Sequence, residues 1–305
     1  MGYSVFLLLF SALLSVLFTP LSIRTAHLIG AIDLPDSVRH RHALPTPRLG
    51  GLALVFAAIF SALLFPIDTV AGAWLSGGAL IAALGVSDDL YSLTPRTKLL
   101  SLIAIATLPI AFGLAPTVIT LGSRAWQLPH PLGNLLTLLW ILLLTNAINL
   151  IDGMDALAPS ICLLGTLALF LFDSGHESLI LAGALLGFLP YNRPALSPFV
   201  SKKIPTRSFL GDTGALFLGY SLAVLSLGKG DFSLTAPIFF AFPLIDLFRV
   251  FLLRLLQGKS PFRADRSHFH HRMSDRGLTR GEILLFAYLC TAFFTVLAFL
   301  LESNF

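Results

Sequence analysis

The chain has 305 residues, 56% of them hydrophobic and 12% charged, with a formal net charge of +4 at pH 7. A soluble domain usually carries about 25% charged residues, so this composition excludes an ordinary soluble domain. It predicts a single polytopic membrane domain over residues 1–305, with the lipid bilayer as a partner and no nucleic acid.

Ten apolar runs along the chain are candidates for helices that cross a membrane. A bilayer core about 30 Å thick requires roughly 20 helical residues. The runs cover residues 3–23, 50–66, 70–86, 98–116, 132–149, 156–172, 178–190, 212–227, 234–256 and 282–301. We expect the first run to be a span and not a removable signal peptide, because no basic residue precedes it. The predicted fold is an all-α integral membrane protein, a bundle of about ten transmembrane helices.

The basic residues divide unequally between the two sides of this predicted bundle. Alternating crossings bring five connectors and the adjoining helix ends to one side, which holds 18 of the 20 lysines and arginines. These connectors are 24–49, 87–97, 150–155, 191–211 and 257–281. Cytoplasmic connectors carry an excess of lysine and arginine. The distribution therefore predicts that this side faces the cytoplasm and that both termini face outward.

Four groups of polar residues lie at the predicted cytoplasmic ends of the spans. In chain order they are Asp88 with Asp89; Asn146, Asn149, Asp152 and Asp155 at intervals of three; Asp212, which opens the eighth span; and His268, His270 and His271 among Arg263, Arg266 and Arg272. We expect Gly153 to end the fifth helix within the second group. On the outward side, the longest connector is expected to contain a short strand at residues 118–121.

Each group has a structural explanation as well as a functional one. An aspartate such as Asp212 at a helix N-terminus is typical of a cap, and a basic run beside a membrane often contacts lipid headgroups. The functional interpretation is favoured because all four groups fall on one face of one membrane domain. Carboxylates can bind Mg²⁺ together with phosphate oxygens, and nearby cationic side chains can offset charge during phosphoryl transfer.

Five segments resemble the signatures of the polyprenyl-phosphate N-acetylhexosamine-1-phosphate transferase family, in the family's order. They are Pro45-Thr-Pro-Arg-Leu-Gly-Gly51, the segment from Gly85 to Lys98, Asn146-Ala-Ile-Asn-Leu-Ile-Asp-Gly-Met-Asp155, Phe209-Leu-Gly-Asp-Thr-Gly214 and Ala264-Asp-Arg-Ser-His-Phe-His-His-Arg272. The last segment is similar to the WecA/TagO branch, which uses UDP-N-acetylglucosamine, and differs from the related MraY branch with its three consecutive histidines. The family's fold is a bundle of ten or eleven helices with a cytoplasmic active site, in agreement with the predicted topology.

The resemblance implies a role for each candidate residue. Asp212 and Asn149 would bind Mg²⁺, which Mn²⁺ can replace, with Asp89 as an alternative additional ligand. Asp88, Asp89, Asp152 and Asp155 would form the catalytic group, with Asp88 the candidate for deprotonating or positioning the lipid phosphate. The substrate-binding group would be Lys98, Asn146, Phe209, Arg263, Arg266, His268, His270 and His271, with the Phe209 ring stacked on uracil.

The same resemblance implies transfer of a sugar 1-phosphate, with N-acetylglucosamine 1-phosphate favoured, from a UDP-sugar to undecaprenyl phosphate at the bacterial inner membrane. UMP would leave, and the product would initiate synthesis of a cell-surface glycan. Direct attack and a carboxylate–phosphosugar intermediate both stay open, as does a homodimer. The alternatives are a transporter of an anionic solute, disfavoured because the spans lack polar groups at mid-depth, and an intramembrane aspartyl protease, disfavoured because Phe209 stands where that class requires glycine.

Overall fold

The computed structural model describes residues 2–34, 45–173, 175–193, 207–228, 230–258 and 267–304, and in this part the chain is mostly helical. The helices are α1 (Gly2–Ile29), α2 (Gly50–Ala62), α3 (Thr69–Tyr91), α4 (Pro95–Ala106), α5 (Leu108–Ala111), α6 (His130–Ile151), α7 (Leu157–Asp173), α8 (His176–Asn192), α9 (Gly211–Leu225), α10 (Thr235–Phe239), α11 (Ala241–Leu256), α12 (Phe269–Asp275) and α13 (Arg280–Asn304). The strands are β1 (Ile32–Asp33), β2 (Thr46–Pro47), β3 (Val118–Leu121), β4 (Arg124–Gln127) and β5 (Asp231–Ser233).

Every predicted span overlaps one helix or two consecutive helices. The run 98–116 is divided between α4 and α5, and the run 234–256 is divided between α10 and α11. A proline lies near each break, Pro109 and Pro243, and proline interrupts a helix because it lacks a backbone N–H and its ring crowds the preceding turn. The strand predicted at residues 118–121 is confirmed as β3.

In the part of the chain that the structure describes, four helices are long and apolar enough to cross a membrane, judged by length and composition. They are α1, α3, α6 and α13, with α13 considered as far as Ser303. Other predicted spans correspond to shorter apolar helices, among them α2, α7 and α9. The protein is therefore a helical membrane protein, and the number of ten crossings stays a prediction.

Helix α9 lies at the centre of the bundle, where every residue from Thr213 to Leu225 is buried. Its principal neighbours are α3, α6 and α2. Two polar contacts join α9 to α3: the indole N–H of Trp74 donates to the Ser221 hydroxyl (2.8 Å), and the Tyr220 hydroxyl donates to the carbonyl oxygen of Ala73 (2.9 Å). Buried polar groups are costly unless they are paired, so these contacts favour one register between the two helices.

The two ends of the bundle differ in structure. At one end, β4, β3 and β5 form a small sheet, in which β3 pairs antiparallel with β4 and parallel with β5. The carboxylate of Glu302 on α13 accepts hydrogen bonds there from the Gly122 backbone N–H (3.4 Å) and the Ser233 hydroxyl (3.5 Å). The other end contains the C-terminal ends of α3 and α6 and the N-terminal ends of α4 and α9, and most of the predicted site residues lie here.

Candidate active site

A cavity of about 430 Å³ opens where α6 ends and α9 begins. The predicted site residues that line it are Asp89, Asn149, Asp152, Asp155, Phe209, Asp212 and His271. Asp33, Arg48 and Asn192 also line it, although the sequence analysis gave them no role. The fold thus brings residues from all five signature segments, and from two other parts of the chain, into one cavity.

The first turn of α9 is capped by Asp89, which lies near the end of α3. One carboxylate oxygen of Asp89 accepts from the backbone N–H of Asp212 (2.9 Å), and the other accepts from the N–H (3.0 Å) and the hydroxyl (2.7 Å) of Thr213. The N–H groups of a first turn have no acceptor within their own helix. The N-cap position of α9 is Leu210, and the described bonds of the Asp212 carboxylate come from the side chains of Lys98 and Asn149. The capping alternative for Asp212 is therefore wrong, and Asp89 supplies the cap.

We expect Asp89→Ala to destabilise the fold, because three donors at a buried site lose their acceptor, and a buried unpaired donor costs about 1–3 kcal/mol. The matched control is Asp68→Ala. Asp68 caps α3 through a bond from the Ala71 N–H (2.9 Å) at an exposed helix start, where loss of a cap costs about 1 kcal/mol. Thermal unfolding of the two variants in detergent makes the comparison. An Asp89→Ala protein that unfolds no earlier than Asp68→Ala would contradict the capping role.

Glycines allow the neighbouring helices to hold the first turn of α9 tightly. A Cβ added to Gly51 on α2 would lie 2.3 Å from the Cα of Gly214, and one added to Gly85 on α3 would lie 2.4 Å from the Cα of Thr213. Real Cβ atoms do not approach other atoms so closely. The N–H of Gly51 also donates to the carbonyl oxygen of Leu210 (2.9 Å). The position of Asp212 is thus set from two sides by backbone packing.

Lys98 joins three of the predicted site residues. Its ammonium nitrogen lies 2.5 Å from an oxygen of Asp88 and 2.8 Å from an oxygen of Asp212. The side-chain oxygen of Asn149 accepts a longer bond from it (3.4 Å), and the Asn149 amide donates to Asp212 (2.5 Å). The other oxygen of Asp88 accepts from the Leu93 N–H (2.8 Å). One cation therefore holds two carboxylates, and the predicted contact of Lys98 with substrate stays a prediction.

Asp152 follows Ile151, the last residue of α6, so this helix ends two residues before Gly153, where the sequence predicted its end. The pKa of the Asp152 carboxyl is raised well above its usual range, first by burial and then by the negative charges of Asp212, Asp89 and Asp155. Burial removes water that would stabilise the ionised form, and like charges add to that cost. A protonated carboxyl can donate a hydrogen bond, which an ionised one cannot.

Asp155 is held by two arginines from distant parts of the chain. Its Oδ2 atom lies 2.6 Å from Arg207 and 3.2 Å from Arg280 at the start of α13. The Arg207 guanidinium also lies over the Phe209 ring, 5.3 Å from its centroid, where the face of the ring attracts a cation. Asp155 thus fixes Arg207 against the ring that we predict to stack on uracil.

Asp246, a buried residue of α11, organises the histidine segment. Its carboxylate pairs with Arg249 (2.7 Å) and with Nδ1 of His268 (3.0 Å), and it accepts from the Phe269 N–H (3.0 Å). His268 is buried and does not line the cavity, whereas His271 does. The sequence analysis missed Asp246, although an aspartate within the apolar run 234–256 was a signal that could have identified it.

Four further predicted substrate-binding residues are His270, Asn146, Arg263 and Arg266. His270 is buried against Gly153, where an added Cβ would lie 2.2 Å from its Nε2 atom. Asn146 lies one turn inside α6, is not among the cavity residues and donates to the carbonyl oxygen of Leu142 (2.7 Å). Arg263 and Arg266 lie outside the described residues.

Asn192, at the end of α8, connects two walls of the cavity. Its side-chain oxygen accepts from the Ala156 N–H (2.6 Å), and its amide donates to the carbonyl oxygen of Ser208 (3.1 Å). Ala156 has a φ of 65°, a backbone conformation that a non-glycine residue seldom adopts. Asn192 thus stabilises the strained turn between α6 and α7, for which the sequence gave no signal.

The oxygen donors beside the cavity fit a cation that binds together with phosphate. Within the described part of the chain, no group of three or more His, Cys, Asp or Glu side chains could hold a metal ion. The Asp212 carboxylate and the Asn149 amide are adjacent and line the cavity. Mg²⁺ commonly binds through one or two carboxylates and completes its shell with water and phosphate oxygens. The donor set therefore suits Mg²⁺ only when a phosphate-bearing substrate is also present.

Comparison with known proteins identifies a family and close relatives. The family model described as glycosyl transferase family 4 matches residues 71–229. A Bacillus subtilis protein named probable undecaprenyl-phosphate N-acetylglucosaminyl 1-phosphate transferase is 35% identical, over 96% of this chain and 83% of its own length. Proteins of Mycobacterium leprae and Mycobacterium tuberculosis, both named decaprenyl-phosphate N-acetylglucosaminephosphotransferase, are 32% and 31% identical, over 87% and 86% of this chain and 75% and 73% of their own.

Proposed function

The chain belongs to glycosyl transferase family 4, and we propose that it transfers N-acetylglucosamine 1-phosphate from UDP-N-acetylglucosamine to a polyprenyl phosphate in the membrane. The names of its relatives give the sugar phosphate and the class of lipid acceptor. One structural observation carries the proposal to this chain: Asp88, Lys98, Asn149 and Asp212 meet beside a cavity at one end of an apolar bundle.

In the proposed reaction, an oxygen of the lipid phosphate attacks the sugar-linked phosphorus of the donor. A new phosphorus–oxygen bond forms to the lipid phosphate, and the bond between that phosphorus and the bridging oxygen of UMP breaks. UMP leaves with the bonding electrons, and the product is a polyprenyl-diphospho-sugar. The arrangement suits both substrates, because the donor is a water-soluble anion and the acceptor has its phosphate at the headgroup level.

The proposed metal is Mg²⁺, bound by Asp212 and Asn149 together with phosphate oxygens. When bound, it would neutralise phosphate charge and orient the donor diphosphate. Lys98 holds the Asp212 and Asp88 carboxylates in their present positions. Asp88 is then adjacent to the ligand and can position the lipid phosphate. Asp89 acts on the reaction through the cap that it supplies to α9.

The part of the cavity lined by Phe209 is proposed to receive the nucleotide. Phe209 offers an aromatic ring at the cavity surface, with Arg207 over it and Asp155 behind that arginine. An aromatic face that is already positioned can stack on uracil at low cost in conformational entropy. His271, also on the cavity surface, is available to contact the phosphates or the sugar.

The end of the bundle with the cavity is proposed to face the cytoplasm of a bacterial cell, where UDP-sugars are present. Its support is the distribution of charge, since 18 of 20 lysines and arginines belong to the connectors and helix ends of this side. Both termini would then face outward, and ten helical segments would cross the inner membrane.

The orientation can be tested with single cysteines at the two ends. In a protein without Cys162 and Cys290, we expect a membrane-impermeant thiol reagent to label Ala125→Cys in intact cells, because β4 would be outside. Gln257→Cys, exposed at the end of α11, should react only after the membrane is permeabilised. Labelling of Gln257→Cys in intact cells would contradict the proposed orientation.

The function is tested by measuring UMP release from the purified protein with UDP-N-acetylglucosamine, undecaprenyl phosphate and Mg²⁺. We expect UMP and lipid-linked sugar phosphate to form in equal amounts, and neither to form when the lipid is omitted. UDP-N-acetylgalactosamine is the comparison donor, and the rate of UMP release with it measures specificity for the sugar. Absence of UMP release with every donor and with both undecaprenyl and decaprenyl phosphate would reject the proposal.

A further inference from the structure

The described lining of the cavity is rich in carboxyl groups, several of which are paired with cations. Five aspartates contribute to it: Asp33, Asp89, Asp152, Asp155 and Asp212. Among the described lining residues, Arg48 is the only lysine or arginine. A phosphate group that enters would meet several carboxylates, and its oxygens need donors with positive charge. Arg48 is therefore the guanidinium that this described part of the lining offers to such a substrate.

Arg48 is held in position by a short two-stranded ribbon. It directly follows β2, which pairs antiparallel with β1, so that Asp33 lies opposite Thr46. The Arg48 N–H donates to the carbonyl oxygen of Ala31 (3.0 Å). Its Nη2 atom forms an ion pair with Asp33, whose side chain is only 6% exposed, while the Arg48 side chain is 34% exposed. The buried partner thus fixes a guanidinium that still reaches the cavity.

The ribbon is also connected to the segment that contains the proposed metal ligand. The carbonyl oxygen of Pro47 accepts from the Phe209 N–H (2.8 Å). The carbonyl oxygen of Arg48 lies 2.2 Å from where a Cβ of Gly211 would be, and the φ of Gly211 is +70°, a conformation that favours glycine. Arg48 and Asp212 therefore have a fixed relative position, although they are far apart in the sequence.

We propose that Arg48 is a substrate-binding residue that donates to phosphate oxygens, and that Asp33 positions it. The inference rests on the proposed function. A guanidinium has five N–H donors in a planar fork, and the described ion pair engages Nη2. The phosphate belongs either to the donor diphosphate or to the lipid, since both groups present the same oxygens.

A purely structural role is the competing explanation, in which the ion pair only stabilises the β1–β2 ribbon. The two roles differ in what a substitution changes. Loss of a structural ion pair would lower thermal stability and leave substrate affinity unchanged in the protein that remains folded. Loss of a phosphate contact would raise the KM of one substrate. Arg48→Lys separates them, because it keeps a charge for Asp33 and loses the planar fork.

The experiment measures KM for UDP-N-acetylglucosamine and for undecaprenyl phosphate in Arg48→Ala and Arg48→Lys, with thermal unfolding recorded for each. We expect Arg48→Ala to raise one KM by more than about tenfold and Arg48→Lys to raise the same KM by roughly threefold or more. If the phosphate is the donor's, inhibition by UDP should weaken and inhibition by uridine should not. If it is the lipid's, only the lipid KM should rise.

Arg124→Ala on β4, at the opposite end, is the matched control and should keep both KM values. The inference is overturned if folded Arg48→Ala keeps both KM values within about twofold of the wild type. If Arg48→Ala does not fold, normal KM values in Arg48→Lys overturn it. Failure of the proposed function would look different, because the wild-type protein itself would then release no UMP.

Discussion

Asp212→Asn should lower turnover by at least about a hundredfold, because Asp212 is the proposed anionic ligand of Mg²⁺, an ion that prefers charged oxygen. The substitution keeps the size and shape of the side chain. It removes the charge that pairs with Lys98 and leaves the first turn of α9 intact, since Asp89 caps that turn. The measurement is UMP release across a range of Mg²⁺ concentrations, and the half-saturating concentration should rise.

Asp68→Asn is the matched control for this substitution. Asp68 caps α3 at its exposed start, and asparagine caps a helix about as well as aspartate. We expect this variant to keep normal turnover and normal dependence on Mg²⁺. If Asp212→Asn also keeps near-normal turnover at limiting Mg²⁺, the proposed metal site is wrong.

Much of the helical architecture could be predicted because apolar runs in a membrane protein have few alternatives to helix. The backbone N–H and C=O groups must be paired within the segment when no water is present. The same argument could not locate the breaks between α4 and α5 or between α10 and α11. The run 98–116 remains apolar on both sides of Pro109. A hydropathy profile therefore shows one continuous segment there, because it does not record the loss of a backbone hydrogen bond.

The residues of the candidate site were easier to predict than the contacts that each of them makes. Asp88, Asn149 and Asp212 were identified from their segments, and the fold brings them to Lys98. The cap supplied by Asp89 depends on how α3 packs against α9, which the close approach of Gly85 to α9 permits. The sequence around Asp212 alone suggested the wrong residue as the cap, because a capping pattern describes one helix and the acceptor here comes from another.

The residues that position site residues through hydrogen bonds or ion pairs were the hardest to predict from the sequence. Asp246 contacts His268 across 22 positions of sequence, and Asp155 is joined to Arg280 across 125. Such pairs are created by helix packing, and no local pattern specifies them. The rule that ionisable groups within membrane spans are rare and need partners could have marked Asp246 for attention, although the sequence analysis did not apply it there. It could not name the partner.

Lys98→Met should lower turnover by about a hundredfold or more, for a reason different from that of Asp212→Asn. Methionine has a similar length but no charge, so the carboxylates of Asp88 and Asp212 would lose the cation between them. Two nearby carboxylates repel each other, and one side chain would move or take up a proton. The geometry beside the phosphates would be lost, and a displacement of about 1 Å can cost a hundredfold in rate.

The dependence on Mg²⁺ distinguishes this effect from the loss of a ligand. Without Lys98 the site is more negative, so we expect the half-saturating Mg²⁺ concentration in Lys98→Met to stay the same or fall, while kcat falls. Lys98→Arg, which keeps the charge in a bulkier side chain, should recover part of the turnover.

The double variant Asp88→Asn, Lys98→Met removes the repulsion as well as the cation. We expect it to stay inactive, because Asp88 is itself proposed to position the lipid phosphate. Recovery of turnover in the double variant would show that Lys98 serves only to neutralise Asp88, and that neither residue is needed for the reaction.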